Sequence, residues 1–253
     1  MARTAVEEGP WTFDTERPGL SASVHGHPSS IRQRRADGWA ARDPLSGLVQ
    51  RIFLAAVPRH EAVRCAVIAP VAPVSRSATL TARVAEVLAG HVSGTVCLVD
   101  CDPAAPSLHD NYGTTNDAGL ADAVDGPGPV RRYAHRLSAS EMGSLWLLPF
   151  GRAGAETLPS LLGGEPGRRL FDELRRTFDF VVVHGPPIVT ASAVALALGA
   201  LTDGVILVAD ANWTRRDAAR MAADTLREAD VTVLGAVLNN RTFPIPEIIY
   251  RRL

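Results

Sequence analysis

From residue 65 onward the chain alternates between two hydrophobic rhythms. Short, nearly unbroken apolar runs lie at Cys65–Ala69, Thr95–Asp100, Leu145–Phe150, Phe178–Val183, Gly204–Ala209 and Val231–Leu238. Runs of this kind predict strands buried on both faces of a parallel sheet. The stretches between them carry apolar residues at every third or fourth position, which predicts helices. One starts near Ser77, and others lie around Leu120–Val124, over 166–177, over 191–200 (Ala-rich) and over 214–229. Apart from the Leu120–Val124 helix, residues 103–143 read as irregular, being rich in Gly, Pro, Asp and Arg. Upstream, Asp43-Pro44 has the form of a helix start, an acidic cap with proline at the first helical position. Leu45, Leu48, Val49, Ile52 and Phe53 then fall on one helical face.

Alternating strands and helices predict a doubly wound α/β fold, a mainly parallel sheet with helices on both faces. Ligands of such sheets sit at the carboxyl ends of the strands. Asp100, Asp102, His184 and Asn239 all fall at predicted strand ends, consistent with one site. Residues 1–42 show no apolar periodicity and carry Pro10, Pro18, Pro28 and the run Arg32-Gln33-Arg34-Arg35. They predict a disordered tail preceding one domain over 43–253.

Composition narrows the function classes. The formal net charge is −1, so nothing draws the whole molecule to nucleic acid or to an anionic membrane. No run is long enough to span a bilayer, and the first residues lack a signal-peptide core. A cytoplasmic location follows as the expectation. Cys65, Cys97 and Cys101 abut or occupy apolar runs and form no metal-ligand spacing, so they are expected to be buried, reduced thiols. The chain contains no lysine, so all 26 basic residues are arginines.

That absence matters at the first strand–loop–helix, Arg64–Glu86. In a nucleotide-binding α/β protein this unit holds phosphate. It needs glycines so that backbone N–H groups can close round an anion, a lysine for the terminal phosphates and a hydroxyl for Mg²⁺. The loop Pro73-Val74-Ser75-Arg76-Ser77-Ala78-Thr79 contains neither glycine nor lysine. Residues 70–77 are therefore expected not to form an anion nest. Ser75 and Ser77 are simplest as caps of the following helix.

The motifs downstream carry a resemblance. Leu98-Val-Asp-Cys-Asp-Pro-Ala-Ala-Pro-Ser-Leu-His109, Gly119-Leu-Ala-Asp-Ala-Val124, Leu148-Pro-Phe-Gly151 and Phe178-Asp-Phe-Val-Val-Val-His-Gly-Pro-Pro187 follow one another at characteristic intervals. Leu234-Gly-Ala-Val-Leu-Asn239 and Ile245-Pro-Glu-Ile-Ile-Tyr-Arg-Arg-Leu253 close the series. Jointly they resemble the cytoplasmic domain of bacterial tyrosine kinases of capsule and exopolysaccharide synthesis, P-loop relatives of the MinD- and ParA-type ATPases. The resemblance covers about residues 43–253.

By resemblance, Asp100 would act as base toward an attacking hydroxyl, Asp102 would help hold metal-bound water, and Asn239 would sit where relatives read adenine. The departures fall on the other functional positions. The loop glycines become Val74 and Arg76, the lysine becomes Ser77 and the magnesium-binding hydroxyl becomes Ala78, while Thr79 is kept. A valine in a left-handed position costs roughly 1–2 kcal/mol before any clash. Arg76 would be the one replacement for the lost charge, though its planar fork suits a tight loop poorly. His184 stands where the third motif ends in an aspartate, and a neutral imidazole is a poor partner for a hard cation. Asp100 and Asp102 then have capping and turn formation as their simplest roles, helped by Pro103.

These readings together imply a catalytically inactive tyrosine-kinase-like protein with no required cofactor and no metal. It would regulate or scaffold a membrane polysaccharide co-polymerase or export protein, with homo-oligomers open and no nucleic-acid partner. Two alternatives remain. One is a divergent, active ATP- and Mg²⁺-dependent kinase or ATPase using Asn239, Thr79 and Arg76. The other is a MinD-like accessory protein of another membrane synthase. The segment Phe243–Leu253 is expected to be ordered and interaction-prone, with Ile248, Ile249 and Leu253 on an apolar side.

Overall fold

The computed structural model describes residues 44–55, 62–73, 77–139, 143–152, 158, 162–211 and 213–240. The expectations for 1–42, Asp43, Val74, Ser75, Arg76 and Phe243–Leu253 lie outside the described residues.

Helix α1 (Pro44–Val49) opens the described chain and runs into a π-helical turn, Gln50–Leu54. Leu45, Val49 and Phe53 are buried at intervals of four residues. The wider π turn keeps Phe53 on that face, where its ring meets Phe180 edge-on at 6.3 Å. Then follow β1 (Cys65–Pro70), α2 (Ser77–His91), β2 (Thr95–Asp100), α3 (Leu108–Tyr112) and α4 (Leu120–Asp125). A 3₁₀ turn (Val130–Tyr133) leads to β3 (His135–Ala139) and β4 (Ser144–Leu148). The last elements are α5 (Glu165–Thr177), β5 (Phe180–His184), α6 (Ser192–Leu201), β6 (Gly204–Asp210), α7 (Arg216–Glu228) and β7 (Val233–Asn239).

The seven strands form one sheet in the order β3-β4-β2-β5-β1-β6-β7. Every pairing is parallel except β3 with β4. The period-two alternation of each strand sends its side chains to two cores. On one face Ala66, Ile68, Val96, Leu98 and Val182 meet α1 and α2 through Leu45, Val49, Leu80, Val84 and Leu88. On the other, Cys65, Val67, Cys97, Val99, Val181 and Val183 meet α4 to α7. The doubly wound expectation holds, and its predicted strands and helices appear within a few residues of their predicted bounds.

Three elements inside 103–143 were not expected. α3 and the 3₁₀ turn are each about one helical turn long, too short for a periodic signal. β3 is an edge strand whose Arg136 and Ser138 are exposed, so it shows no apolar run. It also breaks register with β4 between Arg136 and Ser138. Polar residues and a bulge of this kind protect a sheet edge from further pairing.

Candidate functional site

The carboxyl ends of β2 and β5 meet in the middle of the sheet. Asp100 and His184 are the last residues of their strands and are paired in register. Counting by twos from Leu98 and Val182 puts both side chains on the α1–α2 face. Both are buried, at 0% and 1% exposure.

Each oxygen of the Asp100 carboxylate has backbone donors. Asp102 N–H donates to Oδ1 at 3.3 Å, and the N–H groups of Ser107 and Leu108 donate to Oδ2 at 3.0 Å each. Ser107 occupies the cap position of α3 but makes no side-chain capping bond, so Asp100 supplies the acceptor for that helix start. Burial pushes the Asp100 carboxyl up to about 6, against the opposing pull of these three N–H groups. Asp102 is raised by burial too, and its Oδ1 accepts from Ala104 N–H at 3.1 Å.

His184 Nδ1 lies 3.3 Å from Thr81 Oγ1, and the Thr81 hydroxyl donates to the Ser77 carbonyl at 3.0 Å. With its one proton spent on Ser77, Thr81 can only accept from the imidazole, which assigns the proton to Nδ1. Burial alone lowers the His184 pKa to about 4, so the ring is neutral near neutral pH. Ser77 is the first residue of α2, with Ala78 buried and Thr79 half-buried behind it; Pro73 is exposed. Among the described residues no three His, Cys, Asp or Glu side chains gather as a metal site. Cys65, Cys97 and Cys101 are buried free thiols, all with raised pKa values.

Asn239 lies further along the same carboxyl edge. It ends β7, the strand at the far edge of the sheet, with β1 and β6 between it and β5. Three strand spacings separate β5 from β7, about 14 Å. The strand-end residues expected to share one site thus fall into two groups along the same carboxyl edge, a separation that one extended nucleotide would span. The second gathers residues that the sequence reading passed over. Asp210 pairs with Asn239 in register, and its Oδ2 accepts from Asn240 Nδ2 at 2.8 Å. Asp210 N–H donates to Thr214 Oγ1 at 2.8 Å, and Asn240 sits at φ 56°. Asn239 is 2% exposed and its Oδ1 has no partner. Trp213, just past β6, is 84% exposed. Asp210 could have been found from its place after the run Gly204–Ala209. Thr81 could not, since nothing in α2 sets it apart from other helical threonines.

A seven-stranded, mostly parallel sheet with this arrangement of helices is the fold of the P-loop NTPases, shared with solved MinD and ParA-family ATPases. The crystal structure of the chimerical protein CapA2B2 superposes with a TM-score of 0.74 over 89% of this chain and 95% of that one, at 21% identity. Among curated proteins the chain is similar to the putative tyrosine-protein kinase CapB of Staphylococcus aureus, 27% identical over 143 residues. It is equally similar to the tyrosine-protein kinase YwqD of Bacillus subtilis, 27% identical over 146 residues. These matches cover 56% and 58% of this chain, and 60% of the length of each relative. No protein-family profile matches. The resemblance to bacterial tyrosine kinases drawn from the motifs thus holds, with the MinD and ParA ATPases as further neighbours. Among the described residues no helix is long and apolar enough to cross a membrane.

Proposed function

We propose that this protein is a catalytically inactive relative of the bacterial tyrosine kinases, acting as a regulatory or scaffolding partner in capsule or exopolysaccharide synthesis. Its partner would be a membrane polysaccharide co-polymerase or export protein, met at the cytoplasmic side. The observation that carries this reading is the state of Asp100. A catalytic base needs a free lone pair aimed at the incoming hydroxyl. Three of the roughly four acceptor positions on Asp100 are instead taken by backbone N–H groups of the chain's own β2–α3 loop, so the carboxylate already serves the fold. The neutral, buried His184 beside it supports the same reading, because Mg²⁺ favours oxygen ligands and carboxylate charge. Asp102 is likewise turned onto Ala104.

A second reading keeps residual nucleotide binding, and one observation favours it. The buried, unpartnered Oδ1 of Asn239 is an acceptor that an exocyclic amino group would satisfy. Recovery of membrane partners on the immobilised protein, with ATP, with ADP and without nucleotide, separates the two. The scaffold reading expects equal recovery in all three. A several-fold dependence on nucleotide would reject it.

A further inference from the structure

The sheet edge opposite β7 carries positive charge that no carboxylate among the described residues pairs. Arg131, Arg132 and Arg136 lie within six residues, and all three are exposed. None of their side chains forms an ion pair or hydrogen bond among the described residues. Some arginines elsewhere find carboxylates, as Arg83 meets Glu86 at 2.6 Å, Arg175 meets Asp203 at 2.9 Å and Arg227 meets Asp224 at 2.7 Å. Glu173 of α5 reaches this turn, where its Oε1 accepts from the Val130 N–H at 2.7 Å. With 26 basic and 27 acidic residues in the chain, carboxylates are not scarce.

What organises two of the three, Arg131 and Arg136, is an aromatic ring. The Arg131 guanidinium carbon lies 4.4 Å from the centroid of Trp146, and that of Arg136 lies 5.8 Å from the same ring. Trp146 is held in turn by Phe178, with centroids 6.1 Å apart, and by its Nε1–H donating to Ser144 Oγ at 3.3 Å. A guanidinium stacked on a fixed indole keeps a defined plane, with its N–H edge free to face solvent. Two like charges drawn to one ring repel each other, and among the described residues no carboxylate pairs with either. The geometry is complementary to anionic groups that accept in a planar, bidentate way.

We propose that this edge is a docking surface for an acidic, carboxylate-bearing segment of a partner protein. The surroundings favour a protein segment over a membrane. None of the exposed large apolar side chains among the described residues (Leu54, Val189, Trp213, Met221, Leu238) lies on β3 or β4 to insert into lipid. The register break at Arg136/Ser138 spoils β3 for strand addition, so the contact runs through side chains. The surface lies across the sheet from β7 and works whether or not a nucleotide binds, so its failure would leave the proposed function untouched.

The test is fluorescence anisotropy of a labelled peptide of alternating Glu and Ser, titrated with the full chain at low salt. Wild type should bind saturably, and the triple variant R131Q/R132Q/R136Q should lose about tenfold in affinity, the sum of three exposed charge contacts. The triple variant R215Q/R216Q/R220Q, which removes equal charge near α7, should bind as wild type does. R132Q/R136Q leaves the Arg131–Trp146 stack in place, guards against loss through misfolding and should bind with intermediate affinity. Three results would overturn the proposal: no saturable binding by wild type, equal losses in both triple variants, or wild-type affinity in R132Q/R136Q. Stronger binding to phosphatidylglycerol vesicles or to polygalacturonate than to the peptide would overturn it as well.

Discussion

Asp100 and His184 end adjacent parallel strands side by side, and the Cys101 N–H closes the junction by donating to the His184 carbonyl at 2.8 Å. The two side chains titrate in overlapping ranges with opposite consequences for stability. Asp100 has its folded pKa raised from 3.8 to about 6. Its contribution is therefore present below pH 3.8 and is lost as the pH rises through 6. His184 has its folded pKa lowered from 6.5 to about 4. Its contribution is present above pH 6.5 and is lost as the pH falls through 4. Each amounts to about 3 kcal/mol at most.

Because the windows overlap, the pair should leave wild-type stability nearly flat between these limits. Removing one member should expose the other. Urea midpoints of His184→Leu should rise as the pH falls from 6.5 to 4, and those of Asp100→Asn should fall over the same interval. Parallel pH profiles for wild type and both variants would show that the buried pair does not govern acid stability.

Asp100 should matter to folding more than Asp102 does. Truncating Asp100 to alanine strands the N–H groups of Asp102, Ser107 and Leu108 and uncaps α3. The expected loss is about 2–4 kcal/mol, against about 1 kcal/mol for Asp102→Ala, which frees Ala104 in a more open position. Chemical denaturation of the two variants decides it, and a larger loss for Asp102→Ala would contradict the assignment.

Gly119 is fixed by close approach. A Cβ there would run into the Pro149 carbonyl and come within 2.6 Å of the Gly151 backbone nitrogen. The same backbone makes the joint between α4 and the end of β4, through Leu120 N–H to Pro149 O at 2.8 Å. Gly119→Ala should destabilise by about 2 kcal/mol or more, because backbone cannot yield as a flexible side chain can. Thermal melting close to that of wild type would mean that this joint is loose.

Most of the fold could be read from the sequence because the central strands are apolar on both faces. Cys65–Pro70 is buried at every position, and such a run has no other reading beside a periodic helix. The edge strand β3 could not, since a strand wetted on its outer side keeps residues such as Arg136 and Ser138, which look like loop. For the candidate site, the sequence located Asp100, His184 and Asn239 at strand ends, but strand order is a tertiary property. Only the order β5-β1-β6-β7 shows that Asn239 stands apart from the other two. The Thr81 contact to His184 was hidden for the same reason, joining residues 103 positions apart.

The central claim is that the strand-end carboxylates serve the fold and not a nucleotide. Isothermal titration of the full chain with Mg-ATP tests it most directly. We expect no saturable heat up to about 1 mM nucleotide, where a site of ordinary affinity would be filled. One-to-one binding with a dissociation constant in the micromolar range, weakened by Asp100→Asn in a variant that still melts cooperatively, would contradict the account.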